Sequence, residues 1–313
     1  MRKLRIVPDD TRIPVVRWRV ITLPFSALVS VLTIVLLLTI GLHFGVDFIG
    51  GTLIEVQARS GRADVAAVRQ IARSLEAGDV EVQEFGSQGG VALRIPLQPG
   101  GDQAQTALLE RARRALQADY EIRREESVGP RASQDLVRQG IIGVVLSVFA
   151  VLAYLWFRFE LQLALAAIVG TIHDIVLTLG FFAITRDEFN MTSIAAILTI
   201  IGYSLNETVV VFDRTRELLR KYKNMPIEQL LDLSVNSTLS RTAMTATTTA
   251  LALLALVLFG GEAIRSFAVV MLFGVVLCTY SAIFVSTPSL IYIGLRLGSR
   301  TAQREGKIAK AKP

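Results

Sequence analysis

Cysteine and histidine are almost missing from this chain. Cys278 is the single cysteine, set inside an apolar run, where a small packing residue is its simplest role. No disulfide can therefore staple the segment 43–135, which contains no cysteine at all. His43 and His173 are the two histidines, and no Cys/His spacing suited to zinc or haem exists. The segment 43–135 also lacks a nucleophile paired with a base and a glycine loop able to cradle phosphate. Its aromatics are few, Phe48, Phe85 and Tyr120 among them, too few for the aromatic-lined pocket of a small-molecule site. Enzyme chemistry and resident cofactors are thus not expected.

What the sequence has in abundance is uninterrupted apolar length. Hydrophobic residues make up 52% of the chain and are gathered into runs. About 20 residues cover ~30 Å of hydrocarbon, so Val20–Leu42, Leu136–Phe157, Leu161–Ile184, Phe189–Asp213, Thr242–Gly260 and Ala263–Leu295 read as membrane spans. The last is overlong, and Ser286, Thr287 and Pro288 predict that its spanning part ends near Ser286, the rest running along the inner surface. The first run is too long for a signal-peptide core and is expected to remain attached.

Charge sets the orientation. Arg2, Lys3, Arg5, Arg12, Arg17 and Arg19 precede the first run, and the loop 214–241 carries Arg214, Arg216, Arg220, Lys221, Lys223 and Arg241. The tail 296–313 carries Arg296, Arg300, Arg304, Lys307, Lys310 and Lys312. With six spans all three basic segments fall on one side, which the positive-inside rule makes cytoplasmic. Segments 1–19 and 296–313 are then inside and 43–135 outside, with 136–295 holding spans two to six. The net charge of +6 is explained by these flanks and needs no nucleic acid.

The outer segment patterns as a small α+β domain. Phe48–Gln57 alternates as a strand, and Arg62–Glu76 carries Val65, Val68, Ile71, Ala72 and Leu75 at helical spacing. Val80–Phe85 and Val91–Ile95 read as a hairpin around residues 86–90. A helix from Asp102 to Gln117 and a strand from Tyr120 to Val128 follow. Strand-helix-strand-strand-helix-strand predicts a ferredoxin-like sandwich. Gly50 and Gly51 read as a backbone bend and, with Gly45 and the Gly129–Pro130 turn, as hinges of this domain.

Glu207 is the residue that most needs an explanation. It lies well inside the run Phe189–Asp213, where a carboxyl costs ~2.5 to 3.5 kcal/mol on insertion scales and usually marks an ion or proton pathway. A carboxyl hydrogen-bonded between helices for packing is the plainer reading. Glu207 stands about 10 Å from Arg214 at ~1.5 Å rise per residue, with Ser204, Val211 and Arg214 along its face and Asn206 and Asp213 on an adjoining one. Arg241, at the start of the next span, is either a topological flank or the cation that alternates with burial in setting the charge of Glu207. His173 and Asp174, beside Gly170 and Thr178, are either a secondary proton relay or a structural pair between packed helices. Asp213 and Arg214 snorkel or pair locally. Thr242, Thr245, Thr247, Thr248 and Thr249 offer close helix packing or, as the sharper alternative, a hydroxyl path for water. Pro226–Leu231 starts an amphipathic surface helix.

Several stretches together resemble one family. Phe44-Gly45-Val46-Asp47-Phe48-Ile49-Gly50-Gly51-Thr52 is similar to the signature that follows the first helix in the SecF family of bacterial protein-export membrane subunits. Residues 191–206, continuing through Val209–Arg214, resemble that family's most characteristic helix, and Ser240-Arg241-Thr242 with Leu258–Glu262 resembles its next span. The resemblance implies a six-helix half of the RND-type fold with a periplasmic ferredoxin-like domain inserted after helix one. It further implies SecD as the complementary half, the SecYEG translocon and YajC as partners, and an unfolded secretory protein as substrate. Protons would be the coupling ion, through Glu207, Arg241 and Asn206, and the location the bacterial inner membrane. In this family's pattern Asn206 is followed by Asp, and here by Glu207. The acid is kept, while one added methylene moves it by roughly 1.5 Å, enough to change hydrogen-bond geometry.

Overall fold

The computed structural model describes residues 8, 11–59, 63–85 and 89–294. It divides into two compact units, one from His43–Val145 with Glu188–Met191, the other from the chain before and after them. Arg62, the turn residues 86–88, most of the basic N-terminal segment and the tail 296–313 lie outside the described residues.

After a single 3-10 turn, Val16–Trp18, the first apolar run folds as α1 (Arg19–Thr39). The chain then enters the smaller unit through a one-turn helix, α2 (Val46–Ile49), followed by β1 (Gly51–Ala58). The strand expected from Phe48 therefore starts three residues later. Gly50 and Gly51 have φ of +76° and +117°, and a Cβ on Gly51 would strike the carbonyl of Ile95 in the neighbouring strand, so the bend is reserved for glycine. Next come α3 (Val65–Ser74), β2 (Glu81–Phe85), β3 (Gly90–Ile95), α4 (Gly101–Leu116) and β4 (Tyr120–Val128). The side chain of Asp64 accepts from the Ala66 N–H at 2.8 Å, which places the start of α3 after Arg62.

Strand order is β2-β3-β1-β4, every pair antiparallel, the split βαβ arrangement of ferredoxin-like domains. Ile54, Val56, Val91, Leu93 and Ile95 fill one face of the sheet against Val68 and Ala72 of α3 and Leu108, Ala112 and Leu116 of α4. The alternate positions point the other way, as period two requires. Gly45, Gly50, Gly51 and Gly129 all fall within His43–Val145 of this unit, Gly45 two residues from its start.

Among the described residues, α5 (Pro130–Arg158), α6 (Leu161–Thr185), α7 (Met191–Lys221), α8 (Ile227–Phe259) and α9 (Glu262–Ser281) follow, the last prolonged by a π-helical turn (Ala282–Ser286) into α10 (Thr287–Ile293). Among the described residues, six helical stretches are long and apolar enough to cross a membrane: Val16–Thr39, Pro130–Arg158, Leu161–Thr185, Met191–Lys221, Ile227–Phe259 and Ile264–Ile293. Glycine permits close approach within the larger unit. A Cβ on Gly180 would collide with Thr33 of α1, and one on Gly170 with Ser286.

Two expectations about these helices fail. The segment 214–241 is not a loop, because α7 continues to Lys221 and α8 starts at Ile227 with Pro226 as its cap. No glycine or proline interrupts 227–259, so the expected amphipathic surface helix simply propagates into the span. Nor does the last run leave the bundle at Ser286. Pro288 lacks the N–H that would bond Phe284, and that carbonyl instead accepts from Thr22 Oγ1 at 3.2 Å. With the π turn taking up the slack, Thr287 and Leu290 are both fully buried.

Candidate functional site

Among the described residues of the larger unit two carboxyl groups are buried, and α7 reaches both. On α6, Asp174 is 1% exposed and its Oδ2 accepts from Ser204 Oγ of α7 at 2.6 Å and from Ser281 Oγ of α9 at 2.7 Å. Its Oδ1 lies 3.0 Å from Nδ1 of His173. Three helices are thus pinned at one side chain. The other ring nitrogen of His173, Nε2, is buried without a hydrogen-bond partner, and a free ring nitrogen is what a relay would require.

Glu207 lies one turn beyond Ser204 and is 2% exposed. Thr245 Oγ1 of α8 donates to its Oε1 at 3.1 Å. The Tyr203 hydroxyl on the preceding turn lies buried beside Thr245, Thr249 and Glu207. Between the two acids, Cys278 of α9 points its thiol at the Ile200 carbonyl, 3.7 Å away, and fills space as expected. Ser204 on one side of α7 and Thr245 across from the next turn therefore bring Asp174, His173 and Glu207 into one buried polar belt. A hydroxyl both donates and accepts, so Ser204 and Thr245 can each exchange a hydrogen bond with the acid they contact.

Two residues expected in the belt are elsewhere. Arg241 is exposed and makes no ion pair among the described residues, and its link to the site is its backbone carbonyl, 3.2 Å from the Thr245 hydroxyl. Residues 241 and 245 share a face of α8 one turn apart, and the side chain of that face that bonds Glu207 is Thr245. Asn206 is also exposed, because its place next to Glu207 in sequence rotates it about 100° around α7. The threonines form no continuous path. Thr248 bonds carbonyls of its own helix, at Met244 and Thr245, and Thr247 is exposed. Asp213 does pair, with Arg158 at 2.6 Å, and Arg214 pairs with Glu217 at 2.5 Å. Ser281 and Thr245 were missed as partners of the acids, since no periodicity relates them to α6 or α7.

The glycine-containing signature has a local task of its own. In the smaller unit Gly45 N–H donates to the Phe189 carbonyl at 2.9 Å, and Phe189 N–H donates to the His43 carbonyl at 2.7 Å. Phe48 and Phe189 stack, and Phe44 meets both edge to face, with centroids about 6 Å apart. Arg94 binds Glu188, and Asp47 Oδ2 accepts from the Met191 N–H at 2.9 Å, satisfying one of the orphan donors at the start of α7. These contacts tie residues 43–48 to residues 188–191 within the smaller unit.

Residues 108–296 match the C-terminal domain of the protein export membrane proteins SecD/SecF, and residues 35–61 match the SecD/SecF GG motif. Protein translocase subunit SecF of Rhodobacter capsulatus is 40% identical over 308 residues, covering 94% of this chain and 92% of its own. Protein translocase subunit SecDF of Brucella abortus is 41% identical over 295 residues, of which this chain spans only 39% of the relative's length. Among solved structures, the crystal structure of SecDF, a translocon-associated membrane protein from Thermus thermophilus, superposes with a TM-score of 0.79 at 28% identity. That match covers 92% of this chain and 39% of the other, so the chain has the RND-type fold of one portion of a longer protein. On the strength of residues 108–296 and of near full-length similarity to SecF, this chain belongs to the SecD/SecF family of protein-export membrane proteins.

Proposed function

We propose that this chain is a proton-coupled auxiliary of protein export, a non-enzymatic six-helix half that works beside a complementary SecD half and the SecYEG translocon with YajC. The supporting observation is Glu207, a carboxyl 2% exposed in the middle of a span, facing one hydroxyl and lying a single turn from the residue that holds a second buried acid. Burial of that kind is costly and marks ion pathways. Proton entry and exit at Glu207 drive movement of the ferredoxin-like unit, which on the outer face of the bacterial inner membrane receives an unfolded secretory chain. Both termini are cytoplasmic in this reading. One charge crossing 100 mV supplies ~2.3 kcal/mol, enough to shift a conformational equilibrium.

The test is Glu207→Gln, nearly isosteric and unable to titrate. The variant is expected to insert and to copurify with its partners, and to lose the stimulation of late export by a membrane potential. Export at the wild-type level would overturn the proposal and leave a passive scaffold. Glu207→Asp is expected to retain substantial activity, since it keeps the acid. A half-size antiporter for a small hydrophobic molecule is the competing reading, and the scarcity of aromatics in the segment 43–135 speaks against it.

A further inference from the structure

At one end of the larger unit the polar ends of two spans are tied together. Arg158, the last residue of α5, places Nη2 2.6 Å from both carboxylate oxygens of Asp213, where the apolar part of α7 stops. Phe159 and Phe212 pack edge to face directly beside them, with centroids 6.1 Å apart. This ion pair marks where the hydrocarbon must end. Trp156 and Phe157, 71% and 88% exposed, lie just before Arg158, as interfacial aromatics do.

A cleft of about 450 Å³ opens at this level, lined by Arg158, Asp213, Arg216, Glu217, Arg220 and Lys221. Its charges do not cancel. Asp213 is taken by Arg158, and Glu217 is taken by Arg214, which lies outside the lining. Arg216, Arg220 and Lys221 then remain without a carboxylate among the described residues, and Lys221 rests its ammonium 5.1 Å over the Tyr222 ring. Residues 213, 216 and 220 recur every three or four positions, so the cations rise along one face of α7 above the Arg158 ion pair. Three uncompensated cations, in a concave site, at the level of the membrane surface and beside exposed aromatics, match a ligand with an anionic head and an apolar tail.

We propose that this cleft binds the phosphate headgroup of an anionic phospholipid, with Arg216 and Arg220 as forked phosphate donors and Lys221 as a third positive charge. The acyl chains run down the exposed apolar face of α5 past Phe157. The site is independent of proton coupling, and its failure would leave that reading untouched.

The experiment is native mass spectrometry and thermal unfolding of the purified full chain in detergent, titrated separately with phosphatidylglycerol, phosphatidylcholine and inorganic phosphate. Phosphatidylglycerol is expected to remain bound and to raise the unfolding temperature, and the other two to do neither. About 1 kcal/mol per basic residue near a lipid surface corresponds to roughly fivefold in affinity, so Arg216→Gln with Arg220→Gln is expected to weaken phosphatidylglycerol binding ~25-fold. The paired substitution Arg111→Gln with Arg114→Gln, on α4, is expected to change nothing and controls for net charge. Equal retention of phosphatidylcholine, or unchanged binding in the α7 variant, overturns the site. Stabilisation by inorganic phosphate to the same extent overturns the lipid and leaves a site for a soluble phosphate.

Discussion

Asp174 and Glu207 are both nearly inaccessible carboxyl groups on neighbouring spans, but their surroundings differ. Asp174 takes two serine hydroxyls on one oxygen and a histidine nitrogen on the other, from α6, α7 and α9. Glu207 accepts a single hydrogen bond among the described residues, from Thr245 at 3.1 Å. A change of protonation at Asp174 would disturb contacts from three helices, whereas at Glu207 it would disturb one. The filled network suits an anchor and the sparse one suits a group that changes state. Sequence position alone makes the two look alike, and the difference lies entirely in what the other helices bring to them.

The largest expected effects separate these roles. Glu207→Gln should abolish potential-dependent export while shifting unfolding in detergent by less than about 1 kcal/mol, the worth of one neutral hydrogen bond. Asp174→Asn should do the reverse in kind, costing about 1–3 kcal/mol in unfolding because it strands a buried serine donor. Export assays paired with chemical unfolding of each purified variant check both. If Asp174→Asn keeps full stability and also loses potential-dependent export, the two acids form one relay and the distinction between anchor and switch is gone.

A smaller effect tests how the switch helix is held. Asp47 supplies the hydrogen bond that the first turn of α7 lacks, so Asp47→Ala should cost about 1 kcal/mol, the usual worth of a capping side chain, and Asp47→Asn should recover most of it. Unfolding in detergent measures both. Equal losses in the two variants would mean that the negative charge, and not the accepting oxygen, is what α7 requires.

Much of this was legible in the residues. The closing strand reads from the sequence at Tyr120–Val128, the bounds of β4, and the length of an apolar run gives α6 almost to the residue, since both signals are local. Glu207 stood out because a carboxyl in an apolar run is expensive wherever its neighbours are. The partners of that carboxyl were not legible, because Thr245 reaches it across two helices separated by a turn at 222–226. The same locality explains the error at the last span. Pro288 reads as a stop, and only the tertiary donor Thr22 shows that the freed carbonyl is satisfied and the helix can go on.

The smallest expected effects concern the two α8 residues nearest Glu207. Thr245→Val removes the hydroxyl that bonds the acid, while keeping shape, and should lower coupled export by a modest factor, about fivefold for ~1 kcal/mol. Arg241→Met removes an exposed cation one turn away. If Arg241 acts on Glu207 through the Thr245 hydroxyl, which lies 3.2 Å from its own backbone carbonyl, the double variant should lose little more than Thr245→Val alone. A double-mutant cycle on potential-dependent export measures this, since contacting residues that act together are non-additive by 0.5–3 kcal/mol. Losses that multiply independently would place Arg241 outside the belt as a charge that only sets topology. The exposed side chain in a single half favours that outcome, unless a complementary half covers this face of α8 and turns the guanidinium towards the acid. Repeating the cycle with and without the copurified SecD half distinguishes the two, because coupling that appears only in the complex assigns Arg241 to the assembled pathway.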